Sequence, residues 1–232
     1  CEVVVAGPPT LMFGSNNYLG LTLHPAVVEA ARAAINEYGT GTTGSRTANG
    51  TLALHEALER DFTEWSGKRH AIIFSTGYQA NLSLIGGLCG PGDSIFVDRD
   101  SHASIYDATR QTAAQVIGFR HNSADSLRKK LERLPAGERN RLVVVEGLYS
   151  IRGDVAPIRE IADVCQSYGA YLLVDEAHSL GTYGPTGFGC ASSTPGPASP
   201  RASGPASSSP SAGWARRARC ASPEPGSDSP SR

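Results

Sequence analysis

The chain has 232 residues, 40% of them hydrophobic and 19% charged, with a formal net charge of −1. That length and apolar content can bury a sizeable core in one domain or two small ones, and the balanced charge excludes the strongly basic surface of a nucleic-acid binder. No stretch approaches the roughly 18 apolar residues of a bilayer-spanning helix, and five cysteines at scattered positions lack the C-x-x-C spacing of a metal or redox site. A cytoplasmic chain with reduced thiols and no membrane span is expected.

The start, Cys1-Glu2-Val3-Val4-Val5, is acidic and too short for a signal peptide. It carries no initiator methionine and runs at once into patterned sequence, so a fragment of a longer gene product is expected. After a Pro/Gly entry, Ser15 to Gly20 reads as a polar turn with one aromatic. Pro25 opens a helix whose apolar positions Val27, Val28, Ala31, Ala34, Ile35 and Tyr38 fall at helical spacing, and Gly39 closes it.

Gly39-Thr40-Gly41-Thr42-Thr43-Gly44 matches G-x-G-x-x-G letter for letter. That dinucleotide pattern needs a strand before it and a helix opening directly on it. Here a helix precedes it and the next begins only after Thr51, so the dinucleotide reading is rejected. A Gly/Thr/Ser loop with Arg46 and Asn49 suits either a cover over a ligand or subunit boundary or a plain helix connection.

From Thr51, Leu54, Leu58, Phe62 and Trp65 mark a second helix ended by Gly67. The order then becomes regular. His70 to Phe74 reads as a strand, Gln79 to Leu88 as a helix, Ser94 to Val97 as a strand, a helix runs from about Ser104, and Gln115 to Phe119 is a strand. A helix from Ser123 to Leu134, the strand Leu142 to Val145, a helix opened by Pro157 and the apolar run Ala170 to Val174 follow. Strands alternating with helices of this kind give right-handed crossovers and a mostly parallel sheet. The fold class is α/β.

From Ala191 to Arg232 the chain holds twelve Ser and eight Pro in 42 residues and no Leu, Ile or Val. Such a segment cannot bury enough apolar surface to offset the entropy of ordering, and disorder is expected. The break in composition suggests a frame shift or an artificial terminus, with a natural tail as the alternative. The expected organisation is an N-terminal segment over 1–50, a partial large domain over 51–190 and a low-complexity tail over 191–232.

Four strand-to-helix connections carry polar residues at the edge of a parallel sheet where ligands bind. Ser75-Thr76-Gly77-Tyr78 puts a small turn at a helix N-terminus, where free amides and the dipole favour a phosphate. Asp100 to Ser104 offers the imidazole of His102; Glu146 to Ser150 offers a carboxylate and a hydroxyl; Val174 to Ser179 offers Asp175, Glu176 and His178. Each could be an ordinary helix cap or a structural histidine, but capping does not require all four to lie at one edge. A phosphate cradle, an imidazole and a carboxylate suit a phosphorylated aromatic cofactor.

These residues, with Asn16-Asn17-Tyr18-Leu19-Gly20, Gly41-Thr42-Thr43-Gly44-Ser45-Arg46, Asn49-Gly50-Thr51 and His121-Asn122, resemble the α-oxoamine synthases. These are pyridoxal-phosphate (PLP) enzymes of the aspartate-aminotransferase fold, and the resemblance, over Asn16 to Gly189, is to the branch that condenses serine with a long-chain acyl-CoA in sphingolipid synthesis. It implies a partial large domain of a fold-type I enzyme. It implies that Asp175 pairs with the pyridinium nitrogen, that His178 hydrogen-bonds the ring 3-oxygen and that His102 stacks on the ring face. Gly77 and Tyr78 would hold the phosphate through backbone amides, Glu146 and Ser150 would lie near the cofactor, and Asn17 near the amino-acid substrate. The implied partners are an amino acid, acyl-CoA and a second copy of the chain in a homodimer.

One departure stands out. The family needs a lysine about thirty residues beyond Asp175 to anchor the cofactor, whereas Lys68, Lys129 and Lys130 all precede it and the window falls at Ser207-Ser208-Ser209. This polypeptide is therefore expected to be inactive by itself. A non-catalytic partner subunit, or an α-oxoamine synthase using glycine or alanine, are the alternatives.

Overall fold

The computed structural model describes residues 2–4, 6–134 and 140–193. The disorder expected for the low-complexity tail falls, from residue 194 on, outside the described residues, as does the window in which the family's lysine was sought. The described chain divides into two compact units, one drawing on Cys1–Ala80, Glu146–Ile158 and Val174–Thr194, the other on Asn81–Val145 and Arg159–Leu173. Numbering in chain order, the elements are β1 (Glu2–Val4), β2 (Pro9–Leu11), α1 (Pro25–Tyr38), α2 (Ala53–Ser66), α3 (Gly77–Leu88) and β3 (Ser94–Asp98). They continue with α4 (Ala103–Arg110), β4 (Gln115–Phe119), α5 (Ala124–Leu131), β5 (Arg141–Glu146), α6 (Ile158–Ser167) and β6 (Tyr171–Asp175).

The second unit is built on a four-stranded sheet in the order β4-β3-β5-β6. β3 runs parallel to both neighbours, with Phe96 opposite Ile117 on one side and Val143 on the other. Every residue of β3 and Leu142 to Glu146 of β5 is buried, as strands covered on both faces require. β4 and β6 flank them and are partly exposed. Ile85 and Cys89 at the end of α3 pack with Ile95, Val97, Ile105, Ala108, Leu142 and Val144 into one apolar cluster. Cys165 of α6 is also buried, which pushes its thiol up to about 12 and keeps it protonated at neutral pH.

In the first unit, β1 and β2 pair antiparallel as a short hairpin. α1 begins with Pro25 at its first turn and ends at Gly39, as its spacing predicts. Neither α1 nor α2 contains a buried residue, and Val27, Ile35, Leu54, Leu58 and Trp65 remain exposed.

The strand expected over His70 to Phe74 does not form; the segment is irregular. The physical reason lies in its hydrogen bonds. The Ile73 N–H donates to Glu59 Oε1 at 2.9 Å, and its carbonyl accepts from Arg46 Nη1 at 3.1 Å. Side chains of the loop and of α2 thus take the groups a ladder would have used. Arg46 also meets Glu59 at 2.8 Å and Thr51 Oγ1 at 3.1 Å. Of the two readings left open for this loop, the structure places Arg46 in an internal tie between loop, α2 and the 70–74 segment.

Candidate active site

β6 delivers the acidic end of the site. The Gly147 N–H donates to the Asp175 carbonyl at 2.8 Å, which ties the C-terminal ends of β5 and β6 together. The half-buried Asp175 accepts the Ala177 N–H on Oδ1 at 3.0 Å, so its carboxylate is aimed by the turn that follows the strand. His178, in the same turn, has Nδ1 2.6 Å from the hydroxyl of Tyr18, and the two rings meet edge to face. Tyr18 thereby joins this cluster without having been assigned a role from sequence; its partner lies 160 positions away, and no local pattern signals that contact.

Glu176, between the two, faces the other way. Its carboxylate accepts the Ser179 hydroxyl and the backbone N–H groups of Cys190 and Ala191, the last two at 3.0 and 2.7 Å. It also presses against Gly147 so closely that any side chain there would overlap it. Glu176 therefore staples the 189–191 segment and the end of β5 to the turn that carries His178. Together with burial, this carboxylate pushes the Cys190 thiol above its ordinary range, burial being the larger cause.

Five further expected residues, Gly77, Tyr78, Glu146, Ser150 and Asn17, lie in the first unit. The N-terminus of α3 begins at Gly77, with the Thr76 hydroxyl accepting the Gln79 N–H at 3.1 Å as its cap. Gly77 and Tyr78 are exposed, and a side-chain carbon at Gly77 would meet nothing within 4 Å, so its surface is open to an incoming group. Glu146 is buried and accepts the Ser150 N–H at 3.3 Å, which spends part of its acceptor capacity on its own turn, while Ser150 is exposed. Asn17 closes the Ser15 to Thr22 turn: its carbonyl takes the Gly20 N–H and its amide oxygen the Thr22 N–H.

His102 lies in the second unit, after β3. It caps α4, its Nδ1 accepting the Ser104 N–H at 3.2 Å, and the residue is exposed. Nearby in that unit the fully buried Asp98 takes His121 Nδ1 at 2.9 Å and the Asn122 N–H at 2.8 Å, which braces β3 against the turn after β4.

The first unit thus holds a carboxylate, an imidazole fixed by a tyrosine, and an open helix N-terminus. This donor set fits PLP: amides and dipole for a phosphate dianion, a carboxylate for a cationic ring nitrogen, and a hydrogen-bonding imidazole for a ring oxygen. Among the described residues no cluster of His, Cys, Asp and Glu could hold a metal ion, and no helix is long and apolar enough to cross a membrane.

Known proteins are similar to this chain along most of its length. A serine palmitoyltransferase of Caulobacter vibrioides is 53% identical over 190 residues, 82% of this chain and 47% of the relative. An 8-amino-7-oxononanoate synthase of Geobacter metallireducens is 43% identical over 190 residues, 82% of this chain and 48% of its own. Among solved structures, a serine palmitoyltransferase from S. paucimobilis with a bound PLP–myriocin aldimine matches with a TM-score of 0.79 and 47% identity, covering 82% of this chain and 48% of that one. The chain spans about half the length of the curated relatives it matches. The pattern described as aminotransferase class I and II runs over residues 8–198, and with the parallel α/β sheet and the strand-end residues already in place, the chain belongs to that family, whose fold is fold-type I.

Proposed function

We propose that this chain carries the ring-binding and phosphate-binding part of a PLP-dependent acyltransferase of the α-oxoamine synthase type. The reaction condenses L-serine with a long-chain acyl-CoA, releasing CO2 and CoA and leaving a 3-keto sphingoid base. The observation that supports it is the placement in one unit of Asp175, a Tyr18-bound His178 and the open N-terminus of α3. Similarity to serine palmitoyltransferases along most of the chain supports the choice of substrate class.

When bound, PLP supplies an electron sink for charge developing on the amino-acid carbon. The chain's own residues supply the setting. Asp175 would pair with the ring nitrogen and keep it protonated, and His178, hydrogen-bonded to Tyr18, would hydrogen-bond the ring 3-oxygen. His102 would be the residue for the ring face, as the resemblance implies. The amides of Gly77 and Tyr78 would hold the phosphate, Glu146 and Ser150 would border the cofactor, and Asn17 would border the amino acid. The exposed apolar faces of α1 and α2 suit a homodimer.

The three lysines of this sequence all precede β6, and we infer that none of them anchors PLP. Equilibrium dialysis should show PLP binding that Asp175→Asn weakens about tenfold, the loss of one charge pair of about 1.4 kcal/mol. Borohydride treatment followed by mass analysis should leave Lys68, Lys129 and Lys130 without a stoichiometric adduct. Stoichiometric trapping on one of them, or binding indifferent to Asp175, overturns the reading.

Two other readings have support. Similarity to 8-amino-7-oxononanoate synthases favours a different small amino acid, and glycine or L-alanine, rather than L-serine, should then perturb the bound-cofactor spectrum. The order of the lysines favours a non-catalytic partner of an active homologue, which co-purification with such a homologue checks.

A further inference from the structure

Asn81, Ser104 and His102 form a chain of hydrogen bonds within the second unit. Ser104 is 1% exposed and Asn81 7%, so two of the three members are polar side chains enclosed by the fold. One bond fixes the direction of the others. The Ser104 backbone N–H can only donate, and it donates to His102 Nδ1 at 3.2 Å. A ring nitrogen that accepts carries no proton, so the neutral imidazole holds its hydrogen on Nε2.

Ser104 Oγ lies 2.8 Å from the same Nδ1. With that nitrogen accepting, the hydroxyl is the donor. Its single hydrogen is then used, its lone pairs face Asn81, and Asn81 Nδ2 donates to it at 2.9 Å. Turning the Asn81 amide over would set two acceptors against each other, so the network leaves one self-consistent order, Asn81 to Ser104 to His102. A helix cap needs only the Ser104 amide; the buried amide of Asn81, one turn into α3, has no part in capping α4.

We propose that Asn81 and Ser104 are positioning residues that hold His102 as its Nε2–H tautomer and fix the plane of its ring. The ring then carries its one proton on Nε2 and accepts at Nδ1. The use of that donor rests on His102 meeting the cofactor and its amino acid; the tautomer does not.

The test is a long-range proton–nitrogen correlation spectrum of the 15N-labelled full chain, with His102 assigned by His102→Gln. The wild type should show a bare Nδ1 and a protonated Nε2. Asn81→Asp keeps the shape but replaces a donor by an acceptor, which turns the Ser104 hydroxyl away from the ring. It should shift the tautomer ratio roughly fivefold toward Nδ1–H, as expected for loss of one hydrogen bond. Ser104→Ala should do the same, and Ser104→Thr, which keeps the hydroxyl, should restore the wild-type pattern.

An Nδ1–H ring in the wild type overturns the proposal. So does a variant whose thermal midpoint falls while the His102 signals stay unmoved, since that is purely structural support. If a variant does not fold, the wild-type spectrum still decides. Adding PLP separates the two readings: an Nε2–H ring whose signals ignore PLP refutes the cofactor role of His102 and leaves the relay standing, and a ring that responds to PLP as Nδ1–H does the reverse.

Discussion

Thr43 sits at φ 53°, in the left-handed region that a β-branched side chain rarely enters. Such a residue costs on the order of 1–3 kcal/mol, set against the unfolded-state entropy that glycine adds back. Thr43→Gly should therefore stabilise the chain by about 1 kcal/mol, read as a higher urea midpoint with an unchanged slope. Glu59 carries a second residue-scale consequence. Its carboxyl is held below the usual range chiefly by the Ile73 N–H it accepts, and next by the hydrogen bond from Arg46. A carboxyl whose folded value is depressed stabilises above its unfolded value, about 4.3, and loses that contribution as the pH falls through the lower folded one. Glu59→Gln should flatten the loss of stability on the acid side, measured as urea midpoints from about pH 6 down to about pH 3. An acid slope equal to the wild type's would show that Glu59 is not its source.

At the scale of elements, β3 and β5 have no polar face to spare, and their apolar runs were legible because a strand covered on both sides needs no alternation. Ile95 is fully buried in the cluster with Ile85, Ile105 and Val144. Ile95→Ala should cost about 2–5 kcal/mol, depending on how far the surroundings collapse, and should lower the thermal midpoint by at least several degrees. The segment His70 to Phe74 shows the limit of such reading. Its apolar composition is that of a strand, yet Ile72 is exposed and the hydrogen bonds of Ile73 go to Arg46 and Glu59. Composition reports what a segment could bury; its backbone partners decide what it becomes. The same holds for the G-x-G-x-x-G match, whose preceding element is α1 and not a strand.

At the scale of the molecule, the first unit exposes more apolar side chain than a helix pair in water should carry, with Leu54 at 49%, Leu58 at 41% and Trp65 at 47%. Concentration-dependent self-association should follow, and Leu58→Glu, on the exposed face of α2, should reduce it at least about tenfold in sedimentation velocity, an effect of about 1.4 kcal/mol. Unchanged association would place the contact elsewhere. By itself the sequence determined the α/β alternation, β4 to the residue, the start of α1 and the strand end that presents Asp175 and His178, because periodicity, turn residues and caps act within a few positions. Only the tertiary structure decided that Tyr18 holds His178, that Glu176 staples the segment beyond it, that Arg46 takes the bonds of a would-be strand, and that Asn81 stands behind Ser104. Those contacts join residues far apart in the chain, and their energy exists only once the chain has returned on itself.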